Sequence, residues 1–97
     1  MTILHIEHPV RDFDLWKKAF DSDPIRRERS GIRYHQVLRP VDDPNYVMID
    51  LSFENSEAAE SFLAGLREEV WRSATAGSVL MGTPQTRIVE VVESRQY

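Results

Sequence analysis

Residues 46–53 read Tyr46-Val47-Met48-Ile49-Asp50-Leu51-Ser52-Phe53. Successive side chains of a β-strand leave on opposite faces, so a period of two sorts this stretch into halves. Val47, Ile49, Leu51 and Phe53 share one face; Met48, Asp50 and Ser52 share the other. The first set is a core face. The second is too polar for an ordinary core and too apolar for a surface left in water. It reads as a sheet face covered by a partner, with a wet pocket between. Thr2–His8 repeats the pattern: Leu4 and Ile6 point one way, His5 and Glu7 the other.

Between and beyond these strands the spacing changes to helical. After the first strand stops at Pro9, Asp12 is placed as a helix N-cap, and Phe13, Trp16 and Phe20 form an apolar stripe at i, i+3 and i+7. Asp23-Pro24 can start a second short helix, closed by Gly31, since glycine tolerates a left-handed cap. A weakly alternating strand is expected over Ile32–Leu38. One side would show Ile32, Tyr34, Gln36 and Leu38, the other Arg33, His35, Val37 and Arg39; nothing in the pattern says which meets the helices. Arg39 to Asn45, with two prolines and two aspartates before Asn45, is a turn. Asn55 or Ser56 caps a second helix running to about Trp71, with Ala59, Phe62, Leu63, Leu66 and Val70 at helical spacing. Ala74 to Pro84 is rich in glycine and small residues and reads as a loop, with Val79, Leu80 and Met81 able to fold over a pocket. A last strand is expected from Thr86 to Glu93, with Val89 and Val91 on the helix side and Ile88, Glu90 and Val92 on the other.

The order strand, helix, strand, strand, helix, strand makes two βαβ units. Right-handed crossovers put both helices on one face of a four-stranded antiparallel sheet, the ferredoxin-like α+β arrangement, over residues 1–97 as one domain. Its other face would be bare. Burying even about 500 Å2 of apolar surface there is worth roughly 12 kcal/mol before association costs, so a face-to-face homodimer is expected.

Composition narrows the partners. With 41% hydrophobic residues there is enough material for a core. The formal charge of −4 argues against nucleic acid, although Arg26, Arg27, Arg29, Arg33 and Arg39 cluster as solvated charge or as an anion handle beside a pocket. The absence of cysteine removes disulfides and thiolate metal sites and points to a cytoplasmic home. Neither a secretory leader nor an apolar run of about 20 residues is present, so no membrane partner is expected. There is no phosphate-cradling glycine loop, nucleophile elbow or HExxH pair.

Three segments, LHIEHPVRDFDLWKKAFDSDP (4–24), VLRPVDDPNYVMIDLSFE (37–54) and EAAESFLAGLR (57–67), carry a resemblance that extends over nearly the whole chain. In them the sequence resembles the dimeric α+β barrel superfamily: antibiotic-biosynthesis-type monooxygenases, haem-degrading monooxygenases, polyketide cyclases and small bacterial proteins labelled "cyclase". The resemblance implies the same fold and a homodimer. It also implies a small-molecule ligand of aromatic or polyketide-like character and cyclase- or monooxygenase-like chemistry without a cofactor. In some cyclases of this fold a first-strand histidine takes part in proton transfer, which lends weight to His5. Such a cyclase has a second histidine on the third strand, where this chain has Val47 and Met48. Haem degradation is not expected: His5 stands in place of the asparagine those enzymes use, and no histidine follows His35.

The expected catalytic residues are therefore His5, as general base or acid, with Glu7 or Asp50 orienting it. Carboxylates gathered in a half-dry cavity repel each other and are tuned for proton transfer. Met48, Trp71 and Met81 would form the apolar wall. Ser52 and Glu90 would line the same cavity. Arg33, His35 or Arg87 could pair with its carboxylates, the arrangement expected if the cluster were purely structural. No spacing motif supports a metal site, and none is expected. His8, at the strand's end, reads as a surface or capping residue.

Overall fold

A computed structural model describes residues 1–22, 31–70 and 84–97 of the chain, and, within these, the surroundings of side chains other than those of residues 69 and 70. The elements in order are β1 (Thr2–Pro9), α1 (Phe13–Asp21), β2 (Tyr34–Leu38), β3 (Tyr46–Phe53), α2 (Ser56–Gly65) and β4 (Gln85–Glu90). The four strands form one sheet in the order β2-β3-β1-β4, with every neighbouring pair antiparallel. This is the ferredoxin-like α+β arrangement, with β1 and β3 central.

Local chemistry starts the helices where the sequence says it should. Asp12 accepts a hydrogen bond from the Leu15 amide at 3.1 Å, and Asn55 accepts one from the Ala58 amide at 2.9 Å, each satisfying an otherwise orphaned donor. Of the two candidate caps for α2, Asn55 is the one used. Past Gly65 the helix widens to a π turn over Leu66–Val70. Gly31 has φ +86°, a left-handed conformation that an L side chain rarely adopts. The expected short helix before it, the lid segment and Trp71 lie outside the described residues.

Leu4, Ile6, Val47, Ile49, Leu51 and Phe53 on one sheet face form a single buried cluster with Trp16 of α1 and Ala59, Phe62 and Leu63 of α2. Both helices therefore cover the same face. Trp16 stacks on Phe20 with ring centroids 5.1 Å apart, and Phe53 meets Phe62 at 5.6 Å. Among the described residues no helix is long and apolar enough to cross a membrane.

Register corrects the reading of β4. Leu4 pairs with Ile88, Thr2 with Glu90 and Ile3 with Val89. Directly opposed residues share a face, so Ile88 packs towards the core while Val89 turns to the open side. The strand carries apolar residues at both parities, and a one-residue slip inverts every assignment. Val91, expected in the core, is exposed.

His8 is a second correction. It shares the parity of Leu4 and Ile6, is almost fully buried, and sits edge-on to Trp16. Its Nδ1 donates to the Pro9 carbonyl at 3.1 Å. Burial pushes its imidazole below the ordinary range, partly offset by that bond, so the core disfavours the charged ring.

Candidate functional site

The face opposite the helices is built in cross-strand rungs. One rung runs Tyr34–Ser52–Ile3–Val89, the next Gln36–Asp50–His5–Arg87, and the third Leu38–Met48–Glu7–Gln85. No described helix lies over them. The first rung is mostly apolar and partly exposed; the second holds the chemistry.

His5 is the hub. Its Nδ1 lies 2.7 Å from Asp50 Oδ1, directly across the β1–β3 pairing. Its Nε2 lies 2.7 Å from Glu7 Oε2, two residues along the same strand face. Ionised carboxylate oxygens only accept, so both ring nitrogens must donate, and the ring that satisfies both partners is the imidazolium. Burial works against that charge, but the hydrogen bonds to Glu7 and then Asp50, with the charges of both, outweigh it and hold His5 above the ordinary imidazole range. The His5 bond is also the main reason Glu7 sits below the usual carboxylate range, followed by a bond from Tyr46.

That second bond brings in a residue the alternation did not single out. Tyr46 Oη donates to Glu7 Oε1 at 2.7 Å, and the carboxylate raises the phenol above its ordinary value. Gln36 Nε2 reaches Asp50 Oδ2 at 3.3 Å from β2. The signals for both were present, Tyr46 at the parity of Met48 and Gln36 at that of Tyr34. They had no meaning until the register was known.

The structure thus brings together His5, Glu7 and Asp50, with Met48 on the adjoining rung. Ser52 lies on the same face beside them, 1% exposed, and among the described residues its hydroxyl has no hydrogen-bond partner. Three other expected residues are elsewhere. His35 faces the helices, its ring 5.3 Å from Phe20. Arg33 lies just before β2, with a guanidinium nitrogen 3.3 Å from Glu54. Glu90 pairs with Thr2 at the parity of Leu4 and is exposed. Parity alone displaces His35 and Glu90, because their neighbours in the ladder are helix-facing. Trp71 and Met81 lie outside the described residues. Arg87 stands opposite His5 as a cation on the open face. Among the described residues no group of three or more histidine, cysteine, aspartate or glutamate side chains is placed to hold a metal ion.

No protein-family model matches the sequence. No curated protein matches it either. Solved structures do match over nearly the full length of both partners. One is a variant of SnoaB, described as a cofactor-independent oxygenase from Streptomyces nogalater. It is 15% identical, with 96% of this chain and 94% of that chain covered at a TM-score of 0.75. A protein described as dimeric ferredoxin-like, from an uncultured marine organism, is 9% identical with both chains fully covered at a TM-score of 0.72. A third, described as an antibiotic biosynthesis monooxygenase, is 8% identical, with 96% of this chain and 100% of that chain covered at a TM-score of 0.67. At such identities the agreement is one of backbone path, and it matches the strand order and helix placement described above. The chain has the ferredoxin-like α+β fold of solved structures described as a cofactor-independent oxygenase, as dimeric ferredoxin-like and as an antibiotic biosynthesis monooxygenase.

Proposed function

We propose that the protein is a cytoplasmic homodimer whose paired open sheet faces enclose a cavity for a small aromatic or polyketide-like molecule. In it the protein acts as a cofactor-independent cyclase- or monooxygenase-like enzyme. The observation that carries this reading is the His5 cluster. A proton-bearing imidazolium held by two carboxylates sits in the middle of a sheet face that no described helix covers. Two features support the assembly. The apolar rung beside the cluster is partly exposed in the single chain, and structures of the same fold are described as dimeric; a second copy would bury the face isologously. The lack of cysteine fits a reducing compartment.

In this reading the His5 imidazolium fixes the two carboxylates in place, Glu7 and Asp50 position the ring in turn, and the proton is exchanged at a carboxylate. Both imidazole nitrogens are already engaged, so the ring itself does not touch the ligand; a carboxylate does. Met48 and Ser52 lie beside that contact. Among the described residues the carboxylates are paired with an imidazolium and form no ion pair with an arginine, and the cluster is about one-quarter exposed, which favours chemistry over a purely structural interface. Two measurements test the proposal. Light scattering is expected to give twice the 11.3 kDa chain mass at micromolar concentration, and a monomer would remove the enclosed cavity. Turnover of hydroxylated polycyclic substrates is expected to fall at least tenfold in His5→Ala, and an unchanged rate would take His5 out of the mechanism.

The alternative is a ligand carrier or accessory protein using the same cavity. It is favoured by the closure of both His5 nitrogens. Ligand binding that survives in His5→Ala, with no turnover in either form, is its signature.

A further inference from the structure

Glu7 and Asp50 are alike in exposure, 27% and 22% for their side chains, but not in what holds them. Both oxygens of Glu7 accept short hydrogen bonds, Oε1 from Tyr46 and Oε2 from His5, each at 2.7 Å. Asp50 has one such bond, from His5 to Oδ1. Among the described residues its Oδ2 has only the neutral Gln36 amide at 3.3 Å, longer than charge-assisted bonds usually run. The phenol and the imidazolium can only donate into Glu7, so the direction of each bond is set from both ends.

We propose that Asp50 Oδ2 is the atom at which the cluster exchanges a proton with its ligand, and that Tyr46 is a positioning residue that closes Glu7 and so gives the cluster a single reactive end. The inference rests on the proton-transfer reading above and deepens it. A ligand X–H transfers its proton to Oδ2 and becomes the anion X⁻. Asp50 becomes the neutral acid, while Oδ1 still accepts from His5, which keeps both of its protons. Protonation of the product reverses the step. Without the Tyr46 hydroxyl, Glu7 Oε1 is a second free acceptor on the same face, and the single exit is lost.

The test uses the protein alone. Coupling to a water-soluble carbodiimide and glycine methyl ester requires an accessible carboxyl with a free lone pair, and peptide mass spectrometry reads each site separately. In the unsubstituted protein Asp50 is expected to couple at least fivefold faster than Glu7. Tyr46→Phe, which keeps the ring, is expected to raise Glu7 coupling severalfold and leave Asp50 within twofold. A second readout is spectroscopic: Glu7→Gln returns the Tyr46 phenol towards its ordinary ionisation range in ultraviolet titration. Equal coupling at the two sites, no coupling at Asp50, or no effect of Tyr46→Phe on Glu7 overturns the inference. A protein that couples as expected but turns over no substrate defeats the enzymatic reading and leaves the one-ended cluster standing.

Discussion

Replacing His5 by alanine should destabilise the protein most in mild acid, and least in alkali. His5 donates two 2.7 Å hydrogen bonds to carboxylates. Bonds to charged groups contribute about 1.5–3 kcal/mol each. The side chain is 28% exposed, so solvent screening halves that, to roughly 1.5–3 kcal/mol for the pair. Removing the ring also leaves two carboxylates facing each other across its former site. With a 2.7 Å bond on either side of an imidazole they are on the order of 7 Å apart, a repulsion of about 0.6–2.4 kcal/mol for an effective dielectric of about 80 to 20. Water entering the gap favours the lower figure, so the expected loss is about 2–4 kcal/mol. For a chain of this size that lowers the melting temperature by roughly 10–30 °C.

The pH dependence is the sharper half. The folded state raises His5 above its unfolded value of about 6.5, so its stabilisation is complete below about 6.5 and fades as pH rises through the folded value. Glu7 has the opposite sign. Its folded value is lowered, so its contribution is present above the unfolded carboxylate value near 4.5 and is lost as pH falls through the folded one. The gap between the unsubstituted protein and His5→Ala should therefore be widest between about pH 4.5 and 6.5. Urea unfolding across the pH range, followed by circular dichroism, measures it. A gap below about 0.5 kcal/mol in that window, or one that widens towards alkali, refutes the imidazolium assignment.

Three further outcomes follow from the same geometry. His8 is buried and lowered, so its contribution is present above about pH 6.5 and is lost as pH falls through the folded value. In a His5→Ala background, stability should drop on acidification from neutrality, and adding His8→Asn should flatten that drop; an unchanged slope places it elsewhere. Ser52→Ala removes a buried hydroxyl with no partner among the described residues, so the unfolding free energy measured in urea should stay within about 0.5 kcal/mol or rise by up to about 2 kcal/mol. A loss above about 1 kcal/mol would mean that the hydroxyl is bonded in solution. Asp50→Asn deprives His5 of one of its two carboxylates, so nitrogen NMR should show its titration midpoint shifting downwards, and an unmoved midpoint would mean that Glu7 alone sets it.

Much of this molecule was legible in one dimension because its central strands sort cleanly. In Val47–Phe53 and Thr2–His8 the apolar residues other than Met48 and Ile3 occupy one parity, so burial strongly favours one solution, and His5, Glu7 and Asp50 fall together on the other side. The caps Asp12 and Asn55 are equally local: a side-chain oxygen reaches an amide three residues on, whatever the rest of the chain does. His8 also carried a signal, its parity with Leu4 and Ile6, but its place at the strand's end concealed that Trp16 would pack over it.

What needed the tertiary structure was everything that depends on register between distant segments. The last strand offers apolar residues at both parities, so only its pairing, Leu4 with Ile88, could decide that Val89 faces out and Glu90 does not join the cluster. The second strand is as ambiguous, and its pairing with Tyr46–Phe53 sends Gln36 to Asp50 and His35 to the helices. Tyr46 and Glu7 are 39 positions apart, and only the offset of two antiparallel strands brings hydroxyl and carboxylate within 2.7 Å. A side chain's face is a property of its own strand, but its partner is a property of two, and a hydrogen bond exists only once the sheet has set the distance between them.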